Sequence, residues 1–265
     1  MEVATLSERR TPAEPVLSVI VPTYNERENV RALVYRLRRA LAYVPHEIVF
    51  VDDSTDDTPE VINHLRQEYT NIWLHRRTGE RGLATAALAG FRLARGECVC
   101  VIDADLQHPP ELLPTMVEAL AGGRCDLVVA SRYVTGGSAA GLNGVWRRWA
   151  SLVCRELVHV AFADARKTTD PLSGCFMFRR GTVRVERLNP IGYKILLEVL
   201  VHARDARVQD VPCCFGLRLG DDSKAGLRPA LEFLQHIVRL KALTRLPRGF
   251  AGASASARHN RSFSA

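Results

Sequence analysis

The sequence is short of the features that mark several protein classes. Its 265 residues contain no run of about 18 uncharged apolar residues, so we expect no membrane-spanning helix. The first 15 residues carry five charged side chains and no apolar core, so we expect no secretory signal there. The seven cysteines include no C-x-x-C pair, so we expect reduced, mostly buried thiols rather than a disulfide framework or a zinc site.

What is present is the composition of an ordinary globular protein, with 47% hydrophobic and 25% charged residues. The formal net charge of +7 favours an anionic partner: nucleic acid, anionic lipid headgroups or a phosphorylated substrate. A nucleic-acid-binding protein is therefore one hypothesis. However, no helix-turn-helix, zinc or aromatic RNA-binding signature accompanies the charge.

The first half of the chain alternates short β-branched runs with stretches of helical periodicity. This alternation predicts an α/β fold with a mostly parallel sheet flanked by helices. Ligands of such sheets bind outside the carboxyl ends of the strands, so the polar residues after each run are expected on one rim. The predicted strands are Leu17 to Pro22, Glu47 to Val51, Asn71 to Leu74, Glu97 to Ile102 and Asp126 to Ala130.

The second half has a different pattern, with two long amphipathic, basic helices. These helices are predicted at Trp146 to Phe162 and Leu227 to Leu246, and short strands at Cys175 to Phe178 and Val208 to Phe215. Ala, Ser, Gly and Arg dominate the end of the chain, which is typical of disorder. The predicted organisation is a flexible N-terminus (1–15), a single domain with an amphipathic C-terminal helix (16–246) and a disordered tail (247–265).

Two carboxylates, Asp103 and Asp105, follow the fourth predicted strand. Spaced in this way they can meet one divalent cation, and hard oxygen ligands suit Mg²⁺ or Mn²⁺. Gln107 offers an amide oxygen two residues later. Such a metal keeps open positions for diphosphate oxygens and stabilises a leaving nucleoside diphosphate as a Lewis acid. Acidic pairs at strand ends are also common as caps, so the motif alone does not decide the function.

Eight stretches, in order along nearly the whole domain, match a known family. They are VPTYNERENV (21–30), VDDSTDD (51–57), GLATAALAGF (82–91), DADLQHPPEL (103–112), ASRYVTGGS (130–138), DPLSGCFMFRR (170–180), GYKILLEVL (192–200) and RLGDDSK (218–224). On these stretches the chain resembles the family 2 glycosyltransferases of the GT-A fold, and among them the dolichol- or polyprenol-phosphate mannosyltransferases. The DADLQHPP and GYKILLE runs are typical of this subgroup rather than of the fold in general.

The resemblance implies a role for each matching residue. The nucleotide sugar is bound by Pro22, Tyr24, Glu26, Asp53, Asp103, Ala104, Asp105, Arg218 and Lys224, the last two closing over the diphosphate. Mg²⁺ or Mn²⁺ is held by Asp103, Asp105 and Gln107. The acceptor phosphate is held by Arg132, Arg147 and Ser151, and the catalytic residues are Asp105, Arg132 and Arg147.

The same resemblance implies transfer of mannose from GDP-mannose to a polyprenyl or dolichyl phosphate, by a metal-dependent displacement that inverts the anomeric carbon. A UDP-sugar such as UDP-glucose is the alternative donor. A lipid phosphate is largely ionised near neutral pH, because its second pKa is about 6, so the nucleophile needs no general base. We expect a peripheral enzyme on the cytoplasmic face of a membrane, bound there by itself or by a separate membrane protein, without nucleic acid.

Two departures from the family pattern affect these expectations. Ser54 follows the acidic pair where a glycine is usual, so the nucleoside loop departs from the family pattern at this position. Asp221 and Asp222 replace the glycine and glutamate that usually precede Ser-Lys, which makes the lid more acidic. A catalytically inactive relative that scaffolds a membrane complex is a third hypothesis, against which the intact Asp103, Asp105, Arg132 and Arg218 argue.

The roles of several further side chains are interpreted from their positions, some with two alternatives. The stripe Trp146, Trp149, Val153, Leu157 and Val160 is either core or a membrane-surface helix. His108 is interpreted as structural rather than as a metal ligand. Lys194 and Glu198 are expected to pair across one helix turn. Asp170 and Ser173 either border the acceptor or cap a turn.

Overall fold

The computed structural model describes residues 15–79, 81–142, 144–217 and 227–245, and the side chains of these residues except 145–147, 227–230 and 245. The predicted N-terminal segment (all but its last residue) and the predicted tail therefore lie outside the described residues. So do Arg218 and Lys224. Arg147 is described through its backbone alone.

The described residues form one seven-stranded sheet. Its strands are β1 (Leu17–Thr23), β2 (His46–Asp52), β3 (Ile72–Arg76), β4 (Cys98–Val101), β5 (Leu127–Ser131), β6 (Phe176–Arg179) and β7 (Val208–Pro212). The order across the sheet is β3-β2-β1-β4-β6-β5-β7. β6 is antiparallel to β4 and β5, while every other neighbouring pair is parallel. Six strands therefore share one direction, and the predicted mostly parallel sheet is confirmed.

Helices cover both faces of the sheet. Those described are α1 (Arg27–Ala40), α2 (Thr58–Glu68), α3 (Leu83–Leu93), α4 (Leu113–Ala121), α5 (Val145–Ala161), α6 (Ile195–His202) and α7 (Leu227–Arg245). Short 3₁₀ turns lie at Pro110–Leu112, Asp164–Lys167, Arg180–Thr182 and Val185–Arg187. α1, α2 and α4 bury apolar side chains in the core on one face, and α3 and α6 do so on the other.

The helices take these positions because of their apolar spacing. In α1 the buried residues Val30, Leu33, Val34 and Leu37 recur at helical intervals, so one stripe faces the sheet. α6 is apolar on nearly all sides, and it is buried between the sheet and a further small core. That core is formed with α5 and α7, through residues such as Val158, Phe162 and Phe233.

α5 and α7 also turn apolar side chains outward. On α5 the side chains of Trp149, Val153 and Val160 are exposed to 61%, 60% and 81%, and Leu157 is exposed with them. The reading of this stripe as core is therefore wrong for these four residues, because α5 packs inward through its opposite face. Among the described side chains of α7, the exposed large apolar residues are Leu231, Leu234, Val238 and Leu243.

Two expectations about the chain's chemistry can be compared with the fold. All seven cysteines carry free thiols, and five of them are buried, as predicted. Within the described ranges, no helix combines the length and the apolar character needed to cross a bilayer.

Candidate active site

The site lies at the carboxyl rim of the sheet. β1, β2, β4 and β5 run in the same direction, so the residues that follow them meet at one edge. The predicted residues Tyr24, Asp53, Asp105 and Arg132 all follow these strands, while Pro22 is a buried member of β1. The structure thus brings to one rim the predicted residues that it describes on these four strands.

The loop after β2 is held by Asp52 rather than by a glycine. The Asp52 carboxylate accepts hydrogen bonds from Thr23 Oγ1 (2.8 Å) and Ser54 Oγ (2.6 Å), and Ser54 Oγ in turn accepts one from the Asn25 amide (2.8 Å). Ser54 lies outside the left-handed region, so its backbone does not require glycine. Asn25 adopts that conformation instead (φ 58°), which asparagine tolerates better than most residues. Ser54 therefore fits this loop.

Asp53 has a partner that the sequence did not predict. Both of its carboxylate oxygens accept hydrogen bonds from Arg77, from Nε at 2.7 Å and from Nη2 at 2.5 Å. The Gly82 amide donates a further bond to the same carboxylate (3.1 Å). Both side chains are buried, so the pair fixes the turn after β3 and the start of α3 against the nucleoside side of the rim.

The run from Asp103 to His108 alternates between the surface and the core. Ala104, Leu106 and His108 are buried, whereas Asp103, Asp105 and Gln107 are partly exposed. Leu106 has a left-handed backbone (φ 62°), which is rare for a residue other than glycine. This conformation is strained, and such strain is common in ligand-binding sites. Because the alternate residues are buried in the core, the three polar residues are directed to the rim.

A close approach fixes the Asp103 carboxylate. A Cβ atom at Gly174 would lie 2.2 Å from Asp103 Oδ2, so any other residue there would displace the carboxylate from this position. His108 Nδ1 lies 3.7 Å from the same oxygen, and its ring packs edge-on against Phe215. Burial lowers the pKa of His108 to about 3, with Arg132 adding to the effect, so the ring is neutral. The burial of the ring supports the interpretation of His108 as structural, which stays a prediction.

Gln107 connects the acidic run to the segment that precedes Arg218. The Gly216 amide donates to the Gln107 carbonyl (2.8 Å), and Gln107 Nε2 donates to the Gly216 carbonyl (3.1 Å). Gly141 also approaches this segment closely, since a Cβ atom there would lie 1.9 Å from the Gly216 oxygen. The chain therefore enters the segment carrying Arg218 and Lys224 directly beside the acidic run.

Arg132 is paired within the protein. Its Nε and Nη2 atoms donate to the two carboxylate oxygens of Asp170 at 2.7 Å and 2.8 Å, and both side chains are buried. Burial acts to raise the pKa of Asp170, but the hydrogen bonds and charge of Arg132 outweigh it and the pKa lies below its ordinary value. Asp170 thus borders the predicted acceptor side as a partner of Arg132.

The other acceptor residues predicted from the sequence lie on α5. Ser151 Oγ is 2.8 Å from the Tyr133 hydroxyl, which places this part of α5 over the residue that follows Arg132. Arg147 lies one helical turn earlier on α5. Its side chain is outside the described set, so its position relative to Arg132 stays a prediction.

Lys194 is a candidate site residue that sequence reasoning missed, since it interacts electrostatically with Arg132, Asp170 and Asp103. The predicted pair with Glu198 is wrong, because Lys194 Nζ donates to the Leu172 carbonyl (2.9 Å), while Glu198 accepts from the Asn189 amide and faces His202 and His236. Burial, with the charge of Arg132 adding to it, lowers the pKa of Lys194 to about 8. The signal was its place in the GYKILLE motif, directly before α6 begins at Ile195.

The chain is similar to known proteins over most of its length. The chain is 41% identical to a dolichol-phosphate mannosyltransferase from Pyrococcus furiosus, over 84% of this chain and 63% of that protein. It is 37% identical to one from Mycosarcoma maydis, over 87% of this chain and 80% of that protein. The chain thus spans less than two thirds of the Pyrococcus protein.

Among solved structures, glucosyl-3-phosphoglycerate synthase from Mycobacterium tuberculosis, in complex with Mn²⁺, UDP-glucose and phosphoglyceric acid, has a similar fold. Its TM-score is 0.63 at 19% identity, over 89% of this chain and 81% of that one. The fold and the rim define a glycosyltransferase of the GT-A class. Residues 18–185 match the model of the family described as Glycosyl transferase family 2, and the chain belongs to that family.

We predict that Asp170→Asn destabilises the protein by about 3 kcal/mol at pH 7, because it leaves the Arg132 charge buried without its partner. Since the folded pKa of Asp170 is depressed, its stabilising effect is present above the unfolded pKa, about 4, and is lost as the pH falls through the lower folded value. The difference between wild type and variant in the free energy of unfolding, measured in urea, should therefore be smaller at pH 3 than at pH 7.

Asp57→Asn is the matched control, since Asp57 pairs with Arg27 at an exposed position. It should leave the unfolding midpoint at pH 7 unchanged, because exposed pairs contribute little. An Asp170→Asn protein as stable as wild type, or one whose deficit is the same at both pH values, would contradict the assignment of the buried pair.

Proposed function

We propose that this protein transfers mannose from GDP-mannose to a polyprenyl or dolichyl phosphate, with a divalent metal bound by the acidic run. The names of the Pyrococcus and Mycosarcoma relatives support the acceptor and the sugar. The single observation that carries the proposal is the alternation at 103–108, which leaves Asp103, Asp105 and Gln107 together at the rim while their neighbours are buried.

The donor set fits Mg²⁺ or Mn²⁺. Two carboxylates and an amide oxygen are hard ligands, and Gly174 leaves space for the Asp103 carboxylate. Among the described residues, no group of three or more His, Cys, Asp or Glu side chains is arranged to hold a metal alone, so diphosphate oxygens would complete the coordination. A bound metal supplies Lewis-acid stabilisation of the leaving nucleoside diphosphate. The Mycobacterium structure, which contains Mn²⁺ and UDP-glucose, supports this assignment.

The nucleoside pocket is assigned to the ends of β1 and β2. Tyr24 is partly exposed at this edge, and the Arg81 guanidinium lies 5.7 Å from the centre of its ring. Pro22, Glu26 and Asp53 complete the proposed pocket, with Asp53 holding Arg77 and the turn at Gly82 in place. Arg218 and Lys224 are assigned to the diphosphate, since the preceding chain is hydrogen-bonded to Gln107.

The acceptor phosphate is assigned to Arg132, Arg147, Ser151 and Lys194. Asp170 uses two of the three guanidinium nitrogens of Arg132 and offsets its charge, so Arg132 alone adds no excess positive charge. Lys194 supplies the missing cation, because its ammonium group has one hydrogen bond, to Leu172, and can donate two more. These groups orient an already ionised phosphate, and positioning with charge neutralisation provides most of the rate acceleration.

A UDP-sugar is the alternative donor. The solved Mycobacterium structure contains UDP-glucose, and it shares the fold at 19% identity. The observations on the rim describe a diphosphate and metal site, which both donors require, so the choice of sugar nucleotide rests on the named relatives.

We place the protein on the cytoplasmic face of a membrane as a peripheral enzyme. The exposed apolar side chains of α5 and α7 support the peripheral position, because Trp149 with neighbouring arginines favours the headgroup layer. The inner side of α5 contacts the acceptor side of the rim through Ser151. A lipid phosphate entering under α5 would therefore keep its chain in the bilayer. A separate membrane protein that covers the same stripe is the alternative.

We predict that Asp105→Asn lowers transfer of radiolabelled mannose from GDP-mannose to polyprenyl phosphate by about 100-fold or more, because charge stabilisation of the leaving group is lost. Glu111→Gln, a nearby exposed carboxylate paired with Arg36, is the control and should retain activity. Removal of divalent metal should abolish transfer. Full activity of Asp105→Asn would overturn the metal assignment. Transfer from UDP-glucose but not from GDP-mannose would show that the donor is the UDP-sugar.

We predict that Lys194→Met raises the KM for the lipid phosphate by about tenfold or more, because a charge-assisted hydrogen bond is lost, and changes the KM for GDP-mannose little. Lys194→Arg should recover most of the acceptor affinity. Lys167→Met removes a surface charge paired with Asp164 and should change neither constant. If Lys194→Met raised the KM for both substrates equally, Lys194 would have a structural role instead.

We predict that Trp149→Ser combined with Val160→Ser reduces flotation with phosphatidylglycerol vesicles by about tenfold or more, since each buried apolar side chain contributes about 1.5–3 kcal/mol. Tyr43→Ser is the control, because Tyr43 is fully exposed in the turn that follows α1, away from α5. Wild-type protein that fails to float with any vesicle would favour the separate membrane partner.

A further inference from the structure

A second cleft lies at the edge of the sheet opposite the candidate active site. It has a volume of about 690 Å³ and is formed where β5 begins, β6 ends and α6 ends. Its charged lining consists of Arg179, Arg184, Arg187, Arg204, Asp126 and Asp205. The proposed transfer reaction uses none of these six residues. The family resemblance assigns a role to none of them, although Arg179 lies within the matching stretch 170–180.

The cleft is separate from the catalytic rim. Asp126 directly precedes β5, whereas Ser131 ends β5 at the rim, next to Arg132. Five residues of extended strand span about 16 Å. β6 is antiparallel, so its last residue, Arg179, is at the edge that holds the cleft. A ligand in the cleft would therefore not contact the acidic run.

The acidic residues of the cleft leave the arginines in excess. Asp126 is already paired, because both of its carboxylate oxygens accept hydrogen bonds from Arg207 at 3.0 Å and 2.8 Å. These bonds lower the pKa of Asp126 to about 2, so it is ionised and neutralised by Arg207. Asp205 is the other carboxylate of the lining, which contains four arginines.

Arg184 and Arg187 form one wall of the cleft. The Arg187 amide donates to the Arg184 carbonyl (3.0 Å), which closes a 3₁₀ turn and places residues three apart on the same side. Arg184 and Arg187 are exposed, and in the part of the chain that the structure describes neither forms an ion pair or a side-chain hydrogen bond. Two like charges thus lie side by side, and neither is in an ion pair with another described residue.

Arg204 and Arg179 contribute from other sides of the cleft. Arg204 follows α6 and is exposed, and its nearest acidic atom, Asp164 Oδ2, is 3.9 Å away. Arg179 is partly buried, and its Nη2 donates to the Leu120 carbonyl at the end of α4. Arg204 therefore adds a positive charge at the end of α6, in the same lining as Arg184 and Arg187, while the Arg179 guanidinium is directed to α4.

We propose that this cleft binds a compact anion with two or more phosphate groups. Guanidinium groups bind phosphate oxygens in pairs, and charged groups on two walls call for more than one phosphate. A volume of about 690 Å³ is within the range of small-molecule sites and far exceeds the need of one inorganic phosphate.

The lining argues against other anions. It contains no aromatic side chain apart from His202, so the bases of a nucleic acid strand have no stacking surface. Its apolar residues are Ala203 and Ala206, which offer little contact for an acyl chain. The ligand class is therefore a soluble polyphosphate or a small metabolite with several phosphates.

The test is calorimetric titration of the full chain with sodium tripolyphosphate in metal-free buffer at physiological salt. We expect saturable binding of one molecule per chain. Arg184→Ala with Arg187→Ala should weaken it by about tenfold or more, and Arg204→Ala, on the other wall, should weaken it as well. Arg31→Ala with Arg92→Ala is the control, since it removes the same charge from exposed positions on α1 and α3 and should leave the affinity within about threefold.

Three results would overturn the proposal. One is no binding to the wild type, and another is equal loss of affinity in the two double variants, which would indicate general charge attraction. In the third, the protein binds phosphatidylglycerol vesicles through Arg184 and Arg187 but does not bind tripolyphosphate. In each case the metal-dependent transfer assay on Arg184→Ala with Arg187→Ala should show normal activity, so failure here leaves the proposed function intact.

Discussion

The geometry of the rim depends on how the chain leaves β4. Burying Ala104, Leu106 and His108 forces Asp103, Asp105 and Gln107 outward, and the left-handed backbone at Leu106 makes this possible within a few residues. The other contacts follow from this path. Gly174 must lack a side chain because Asp103 passes it, and Gly216 is hydrogen-bonded to Gln107. A small strained segment therefore sets the positions of two distant parts of the chain.

The two halves of the rim differ in how their charges are balanced. On the nucleoside side, Asp53 is neutralised by Arg77 inside the protein, so the pair holds the loop and brings no net charge to a ligand. On the acceptor side, Asp170 does the same to Arg132. Buried pairs of this kind add geometric precision more than binding energy. The attraction for phosphate must then come from cations beyond these pairs, among which Lys194 is described.

Sequence patterns predicted the strands of the first half and the rim because both follow from local periodicity and from the rule for parallel sheets. They did not predict that β6 is antiparallel, since a short apolar run has no direction. They also failed at Lys194, where helix spacing suggested Glu198, because the helix begins only at Ile195 and Lys194 precedes it. The partners Arg77 and Asp170 lie 24 and 38 residues from theirs, and no local pattern reports contacts at that distance.

The antiparallel strand β6 has a consequence for the substrate. It separates β4 from β5, so the acidic run and Arg132 follow strands that are two spacings apart, about 9.5 Å. In the proposed reaction the donor diphosphate lies at the first of these strand ends and the acceptor phosphate at the second. The sugar would be transferred across the distance between them. Hydrogen bonding in the sheet fixes this distance whichever hexose is present. Discrimination between sugars must therefore reside in the loops that line the gap, and donor preference can change while the scaffold stays the same.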